Sequence, residues 1–206
     1  MPPTFPEEVV QERCGIIINE VLGKSQLKLF ISNFILKESD KDEKSYISCS
    51  LRVPASRKLS AKIKGEGDGF VDALFSAIIE RLSGDFCSLK KFSLDDFSVK
   101  VDFKNSNRWN KTDAPVEIKL AIENSNKKLL YFKATARSLV VAAISAIKSA
   151  IEYLINVELA VIELYKSIKD ATERGRTDLV QEDTIRMTEL VRIVSYEETI
   201  AKLKTT

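Results

Sequence analysis

GDGFVDALFSAIIERL, residues 67–82, combines a Gly-x-Gly turn, an acidic pair and an amphipathic helix, and the rest of the chain is arranged around it. Its apolar residues have the i, i+3, i+4, i+7 spacing of a helix with one face in a core: Phe70, Val71, Leu74, Phe75, Ile78, Ile79 and Leu82. Glycine suits a sharp turn into a helix. Free N–H groups at a helix N-terminus also bind carboxylates or phosphates. The turn therefore has two interpretations, a structural turn and a ligand site.

Three segments with the alternating pattern of half-buried antiparallel strands precede this helix, and the same order occurs a second time. The first set of strands is predicted at 27–36, 46–53 and 58–64, with a charged loop over 37–44. The second set is predicted at 92–103, 116–123 and 129–136, with a polar loop over 104–113. A helix over 138–156 follows, with Ser138 as its N-cap. The chain thus contains two βββα repeats, at 27–84 and 92–156.

The duplication predicts an α+β fold. Neither three-stranded sheet can bury its apolar face alone, so we expect the two helices to pack on the two antiparallel sheets around a pseudo-twofold axis. Residues 1–26 are predicted to be a lead-in helix or a linker, and residues 157–206 a helical extension.

The extension has its own pattern. Its first helix continues from 138–156 and ends near Arg174-Gly175, a second covers 182–194, and a third starts at a capping box formed by Ser195 and Glu198. The apolar residues of the first helix either pack against the chain itself or pair with another subunit: Val157, Val161, Leu164 and Ile168.

Composition excludes several functional classes. The 206 residues contain no histidine, which excludes Ser-His-Asp and Cys-His catalysis and His-ligated zinc. The net charge of +2 without a dense basic patch disfavours nucleic acid as a partner. We find no apolar run of about 18–20 residues and no secretory signal, and therefore expect no membrane partner. The three widely spaced cysteines indicate reduced thiols in a cytoplasmic protein; no metal or cofactor is expected.

Three motifs carry a resemblance to a known family. They are GDGFVDALFSAI (67–78), TDAPVEI (112–118) and ARSLVVAAISA (136–146). Together with the repeated βββα order over 27–156, they resemble the C-terminal regulatory domain of 2-isopropylmalate synthase and citramalate synthase, the LeuA allosteric or dimerisation domain. The chain departs from the family pattern in three places. Phe70 replaces a proline, 134–137 lacks the second glycine-rich turn, and Val140 lies where an acidic residue is expected.

The resemblance implies a non-catalytic domain that dimerises and takes a branched-chain amino acid, leucine or isoleucine, as feedback effector between the two repeats. The synthase itself needs a TIM barrel of about 200–250 residues and a metal site with histidine, so we expect a separate catalytic chain. The effector-binding residues implied by the motifs are Gly67, Asp68, Gly69, Val71, Asp72, Ala73, Ser138 and Leu139.

Each part of an amino acid has a predicted contact. Backbone N–H groups of 67–69 bind the effector carboxylate, and Asp68 or Asp72 binds its ammonium group. Val71, Ala73 and Phe75 line the side-chain pocket, and Ser138 and Leu139 face them.

Two alternatives stay open. Asp68 and Asp72 are equally explained as residues that cap α-helical N–H groups and favour the helix dipole. The chain as a whole is also explained as a structural or interaction protein that kept the fold, oligomerises without a ligand and contacts a partner through 157–206.

Overall fold

The computed structural model describes residues 6–101 and 114–193. The helices span Pro6–Leu22 (α1), Phe70–Leu82 (α2), Leu139–Glu173 (α3) and Thr177–Leu190 (α4). The strands span Phe30–Ser39 (β1), Lys44–Arg52 (β2), Ala61–Gly67 (β3), Ser93–Val101 (β4), Val116–Glu123 (β5) and Leu129–Ala136 (β6). Short 3-10 turns cover Gly23–Ser25 and Cys87–Lys91.

The strands form two antiparallel three-stranded sheets, β1-β2-β3 and β4-β5-β6. Each sheet is a simple meander followed by a helix, and each has a bulge in its first strand, between Ser32 and Ile35 and between Leu94 and Asp96. This architecture confirms the predicted α+β fold with two βββα units and a helical C-terminal part. The pseudo-twofold relation between the units stays a prediction.

One face of each sheet packs on a helix, as the alternation predicts. In β2 the side chains of Ile47, Cys49 and Leu51 are at most 3% exposed, and in β5 those of Ile118 and Leu120 are fully buried. α2 lies on β3 and β2, and α3 lies on β5 and β6. A continuous apolar core therefore joins both repeats.

Two of the three cysteines lie in this core and make the chain sensitive to alkaline pH. Burial raises the pKa of Cys14 and of Cys49 to about 11, from a usual value of 9.0. The neutral thiols therefore stabilise the fold fully below pH 9, and this contribution is lost as the pH rises toward 11. We expect the free energy of unfolding to fall by about 1.4 kcal/mol per pH unit for each thiol in that window.

Urea unfolding between pH 8 and pH 11 measures this dependence. The control is Cys49→Ala, which lowers stability at every pH because it leaves a small cavity. Its free energy of unfolding is expected to decline less steeply above pH 9 than that of the wild type. Equal slopes for the two proteins would contradict the assignment.

The first strand begins later than predicted, at Phe30 instead of residue 27. The cause is a set of hydrogen bonds to α3. The Leu27 N–H donates to Asn156 Oδ1 at 2.7 Å, Asn156 Nδ2 donates to the Leu27 carbonyl at 3.0 Å, and the Leu29 N–H donates to Glu152 at 2.6 Å. The backbone groups of residues 27–29 are thus hydrogen-bonded to side chains of α3 instead of to a neighbouring strand, and β1 starts only after them.

The third strand also differs, since it spans Ala61–Gly67 instead of the predicted 58–64: residues 58–60 belong to the preceding turn, and the strand continues through Gly65 to Gly67. Gly65 pairs with Ile47 and Gly67 with Ser45. Gly67, the first residue of the predicted Gly-x-Gly turn, is therefore the last residue of β3. The last predicted strand residues around Phe103 lie outside the described residues.

α1 lies within the region predicted as a lead-in helix or a linker, and it is bound to the second sheet. Gln11 Nε2 donates to the carbonyl of Tyr131 at 2.9 Å, and the Tyr131 N–H donates to Gln11 Oε1 at 2.9 Å. One side-chain amide thus satisfies both backbone groups of a residue at the outer edge of β6. The helix is therefore part of the folded unit.

α3 begins as predicted, because the Ser138 side chain accepts a hydrogen bond from the Val141 N–H. It then continues to Glu173, so the predicted boundary between residues 156 and 157 lies inside this helix. Gly175, with φ 70°, follows its end. Val157, Val161 and Leu164 are at most 2% exposed within the single chain. The intramolecular interpretation is therefore confirmed for these three residues, whereas Ile168, the fourth residue of the stripe, is only half-buried.

α4 begins at Thr177, five residues before the predicted start at 182, and packs on α3 and α1. The sequence pattern did not predict the first turn, because Leu179 in this turn is exposed and does not extend the buried stripe. Asp178, also in the first turn, stabilises the helix N-terminus through the helix dipole. α4 ends at Leu190, with Val191 as its C-cap, so the predicted end at residue 194 was wrong. The capping box at Ser195 and Glu198 lies outside the described residues.

α3 is also long and apolar enough to cross a membrane. An 18-residue window has a mean hydropathy of 1.5, so the expectation that no segment reaches this length was wrong. Of that window, 56% is buried inside the structure. The buried face packs on the second sheet, α1 and α4, which is the arrangement of a core helix in a globular domain.

Candidate functional site

The turn at 67–69 is shaped by the close approach of α2 to β3. A Cβ atom on Gly67 would collide with the Asp72 carboxylate and lie 2.6 Å from the Ala73 nitrogen. A Cβ atom on Gly65 would collide with the Ala73 carbonyl oxygen and lie 2.8 Å from the Ala77 methyl group. Both positions therefore require glycine for packing.

Gly69 has a different environment. It is the N-cap of α2, with φ −155° and ψ 164°, and this extended backbone is open to any residue. A Cβ atom there would meet nothing within 4 Å. Neither Gly67 nor Gly69 has a positive φ. Of the two properties that suit glycine to such a turn, an unusual dihedral angle is absent at both residues, and close backbone approach is present at Gly67 alone.

The two aspartates of the motif have separate partners. Asp68 forms a salt bridge with Lys44, with 2.6 Å between Oδ1 and Nζ. This contact lowers the pKa of Asp68 and raises that of Lys44. Asp72 lies in the first turn of α2, and its Oδ1 accepts a hydrogen bond from the Ser76 hydroxyl at 3.3 Å. The helix-dipole interpretation therefore fits Asp72, whereas Asp68 points to the neighbouring hairpin.

Strand register explains why Lys44 meets Asp68. Ser45 of β2 pairs with Gly67 of the antiparallel strand β3. Lys44, which precedes Ser45, therefore lies beside Asp68, which follows Gly67. The charged loop predicted over 37–44 is shorter in the structure, because β1 extends to Ser39 and Lys44 is the first residue of β2. Local sequence shows no partner for Lys44, and only the strand pairing reveals it.

A groove lies between this hairpin and the turn, which we name the hairpin groove. Its volume is about 430 Å³, within the range of small-molecule sites. It is lined by polar residues: Glu38, Ser39, Asp40, Glu43, Lys44, Ser45 and Asp68. The Asp68 side chain is 88% exposed, and that of Lys44 is 37% exposed, so both charges are accessible from solvent.

The remaining predicted site residues have other environments. Val71 is 7% exposed and Ala73 is fully buried, so their side chains belong to the core. Ser138 caps its own helix, and the neighbouring Leu139 is 39% exposed. The second repeat reaches the turn through Phe97, whose ring meets that of Phe70 edge-on at 6.5 Å.

The hairpin groove suits recognition of a zwitterion. Asp68 supplies an acceptor for an ammonium group, and Lys44 supplies a donor for a carboxylate. Within 6–101 and 114–193, no group of three or more His, Cys, Asp or Glu side chains is arranged to hold a metal ion.

Comparison with known families gives one match. A family model described as "LeuA allosteric (dimerisation) domain" matches residues 8–155. The match starts within α1, earlier than the resemblance predicted from residue 27, and it ends within α3. α4 lies outside it. No curated protein matches the chain.

Proposed function

The chain belongs to the LeuA allosteric (dimerisation) domain family, and on this basis we propose that it is a regulatory domain that binds a branched-chain amino acid, leucine or isoleucine, as feedback effector. The matched domain is regulatory and non-catalytic. We further propose that the chain forms a homodimer in the cytoplasm and acts on a separate 2-isopropylmalate synthase chain.

The salt bridge between Lys44 and Asp68 is the observation that carries the effector proposal. An amino acid presents one ammonium and one carboxylate group on the same carbon atom. These two groups replace the two ends of the bridge, with ammonium on Asp68 and carboxylate on Lys44, and the N–H groups of 67–69 add donors near the carboxylate. Both side chains are accessible to a ligand from solvent. When the effector replaces the salt bridge, Asp68 pairs with its ammonium group and Lys44 with its carboxylate, so neither protein charge is left unpaired.

The side chain of the effector needs an apolar wall, which the polar lining of the hairpin groove lacks. We propose Phe70 as this wall, because it is half-buried and follows Asp68 by two residues. The family resemblance adds Leu139, which is 39% exposed at the start of α3. The side chains of Val71 and Ala73 lie in the core, so only the backbone groups of these two residues are left to contact the effector.

A thermal-shift screen with leucine, isoleucine and valine at millimolar concentration tests the proposal. At a ligand concentration ten times the dissociation constant, the expected stabilisation is about 1.4 kcal/mol. For a chain of this size the midpoint of unfolding then rises by roughly 3–6 °C. One of the three amino acids should produce this rise.

The variant Asp68→Asn is expected to lose the shift, because it removes the charge that binds the ammonium group. Asp178→Asn is the matched control, since Asp178 is another exposed aspartate in a salt bridge, with Arg176 at 2.9 Å. The control should respond to the ligand as the wild type does. No shift with any of the three amino acids would count against the effector proposal.

A second candidate function is favoured by the wholly polar lining of the hairpin groove and by the missing glycine turn before α3. In this alternative the chain is an interaction protein that kept the fold and oligomerises without an amino-acid ligand. It predicts an oligomer whose midpoint of thermal unfolding does not change when leucine, isoleucine or valine is added. The same screen, combined with a mass measurement in solution, separates the two functions.

A further inference from the structure

The outer face of the first sheet, which is turned away from α2, is exposed and basic. Strand register places on it the alternate residues that lie opposite to the buried Ile47, Cys49 and Leu51. We name this surface the basic sheet face, and the Lys44–Asp68 salt bridge lies at one end of it. Its other charged side chains are all exposed: Lys37, Arg52, Lys62, Lys64 and Glu66. Its large apolar side chains are Phe30, Ile35 and Tyr46, which are 47%, 55% and 36% exposed.

The positive charge of this face is not neutralised within the fold. Glu66 contributes the single carboxylate against four cations. Within residues 6–101 and 114–193, none of these four cations forms a salt bridge. The Arg52 guanidinium instead lies over the Phe30 ring, 5.0 Å from its centre. The face therefore favours an anionic partner.

The corresponding face of the second sheet is balanced in charge. Its paired positions on β4, β5 and β6 carry three carboxylates and three cations: Asp96, Glu117, Glu123, Lys100, Lys119 and Lys133. The exposed Val99 and Val101 lie on the opposite face of this sheet, since Val99 pairs with the fully buried Ile118. The two sheets have the same strand order. The fold alone therefore does not require a basic outer face.

Protection of the sheet edges explains only part of the pattern. Lysines on edge strands hinder pairing with other chains, which accounts for Lys37 on β1 and for Lys62 and Lys64 on β3. Arg52 and Tyr46, however, lie on the central strand β2, which is already paired on both sides. A cation and an exposed aromatic ring in the middle of the sheet indicate a binding surface.

Aromatic rings and cations alternate along this face. Phe30 pairs with Arg52 at one end, and Lys37 pairs with Tyr46 at the other. The six residues from Tyr46 to Arg52 span roughly 20 Å along β2, at about 3.4 Å per residue. Two pairs of a serine and a lysine fill this interval: Ser48 with Lys64 and Ser50 with Lys62.

We propose that the basic sheet face binds single-stranded RNA. Proteins bind single strands with a positively charged surface along the phosphates and with exposed rings on which the bases stack. Bases also stack on guanidinium planes, so Arg52 and Phe30 form one platform and Tyr46 forms the other. A depression of about 430 Å³ beside Tyr46 has the volume of a small-molecule site and accommodates a base.

The serines between the two platforms favour RNA over DNA. The hydroxyl groups of Ser48 and Ser50 both donate and accept hydrogen bonds, which matches the 2′-hydroxyl group of ribose. A duplex hides the faces of its bases and offers nothing for the rings to stack on. A membrane of anionic lipids offers negative charge but likewise no rings.

The sequence alone disfavoured this partner, because the basic residues are spread from Lys37 to Lys64 without a dense patch. Strand pairing brings them onto one surface. The assignment goes beyond the proposed effector function. It also relies on side chains other than those that line the hairpin groove, so each proposal can fail without the other.

Fluorescence anisotropy with a labelled oligouridylate of about 12 nucleotides, a length that one binding domain covers, tests the assignment. The expected dissociation constant lies between about 1 and 100 μM near physiological salt. With four phosphate contacts, affinity should fall about 50-fold between about 50 and 200 mM salt. The deoxy oligomer and an RNA duplex of the same length should bind more weakly.

The double variant Lys62→Gln with Lys64→Gln tests the role of charge. Two lost phosphate contacts should lower affinity about tenfold at about 150 mM salt and make its salt dependence shallower. Lys119→Gln with Lys133→Gln is the matched control, because this pair of lysines faces outward on the second sheet and its loss changes the net charge equally. The control should bind as the wild type does.

Tyr46→Ala tests the stacking platform. It should lower affinity about fivefold or more and leave the salt dependence unchanged, because it removes a ring and no charge. Tyr46→Phe keeps the ring and should bind as the wild type does. Circular dichroism confirms that each variant is folded, as expected for changes at exposed positions.

Several results would overturn the assignment. They are an absence of saturable binding at about 50 mM salt up to about 100 μM protein, equal losses in the lysine variant and its control, and wild-type affinity in Tyr46→Ala. Equal binding of the deoxy oligomer, or tighter binding to phosphatidylserine vesicles than to the RNA, would contradict it as well. The effector screen depends on none of these outcomes.

Discussion

Gly65→Ala is expected to destabilise the chain by about 3 kcal/mol, at the upper end of the effect of overpacking a core. The added methyl group would collide with the carbonyl oxygen of Ala73 and lie 2.8 Å from the Ala77 methyl group. Neither can rotate away, because one is the backbone of α2 and the other is a Cβ atom. α2 must therefore shift on the sheet or β3 must bend.

Gly69→Ser is the control for this variant. It adds atoms within the same turn, but a Cβ atom at Gly69 meets nothing within 4 Å. Serine is also a favourable N-cap residue, so we expect stability to change by only a few tenths of a kcal/mol, upward. Urea unfolding measures both variants. If Gly65→Ala were as stable as Gly69→Ser, close packing of α2 on β3 would be contradicted.

Asn156→Leu is expected to cost about 3 kcal/mol, although leucine is apolar and branches at the same carbon atom as asparagine. Asn156 is 3% exposed and binds both the N–H and the carbonyl group of Leu27. Leucine leaves these two backbone groups buried without partners, and each such group costs about 1–3 kcal/mol. The variant also removes a contact between the two repeats, because Asn156 on α3 of the second repeat binds the segment that precedes β1 of the first repeat.

Glu152→Gln is the matched control, one helical turn earlier. Glu152 accepts a hydrogen bond from the Leu29 N–H, and glutamine keeps an oxygen acceptor in the same position. We expect this variant to lose at most about 1 kcal/mol. Chemical unfolding compares the two. An Asn156→Leu variant as stable as Glu152→Gln would show that residues 27–29 satisfy their backbone groups in another way.

The strands that could be predicted are those whose alternation is bounded by clear breaks. β5 and β6 have the predicted bounds, since Pro115 precedes the first and a polar turn separates the two. The start of β1 could not be predicted. Leu27 and Leu29 have the apolar alternation of a strand, but their backbone partners are side chains from a helix more than 120 residues later.

The same distinction holds for the candidate site. The position of Asp68 at the start of α2 follows from the motif, but its partner Lys44 follows only from the pairing of Ser45 with Gly67. A glycine before α2 also follows from the motif, although only Gly67 of the predicted pair is required. The reason, however, is the proximity of a helix to a strand at Gly65 and Gly67, which local sequence does not encode.

Titration calorimetry with leucine, and then isoleucine, tests the regulatory proposal most directly. The proposal predicts saturable binding to the wild type by one of them, and affinity reduced about tenfold or more in Asp68→Asn, since hydrogen bonds to charged groups contribute about 1.5–3 kcal/mol. Asp178→Asn should bind as the wild type does. An absence of binding heat with leucine, isoleucine and valine alike, in a protein that is folded and dimeric, would contradict it.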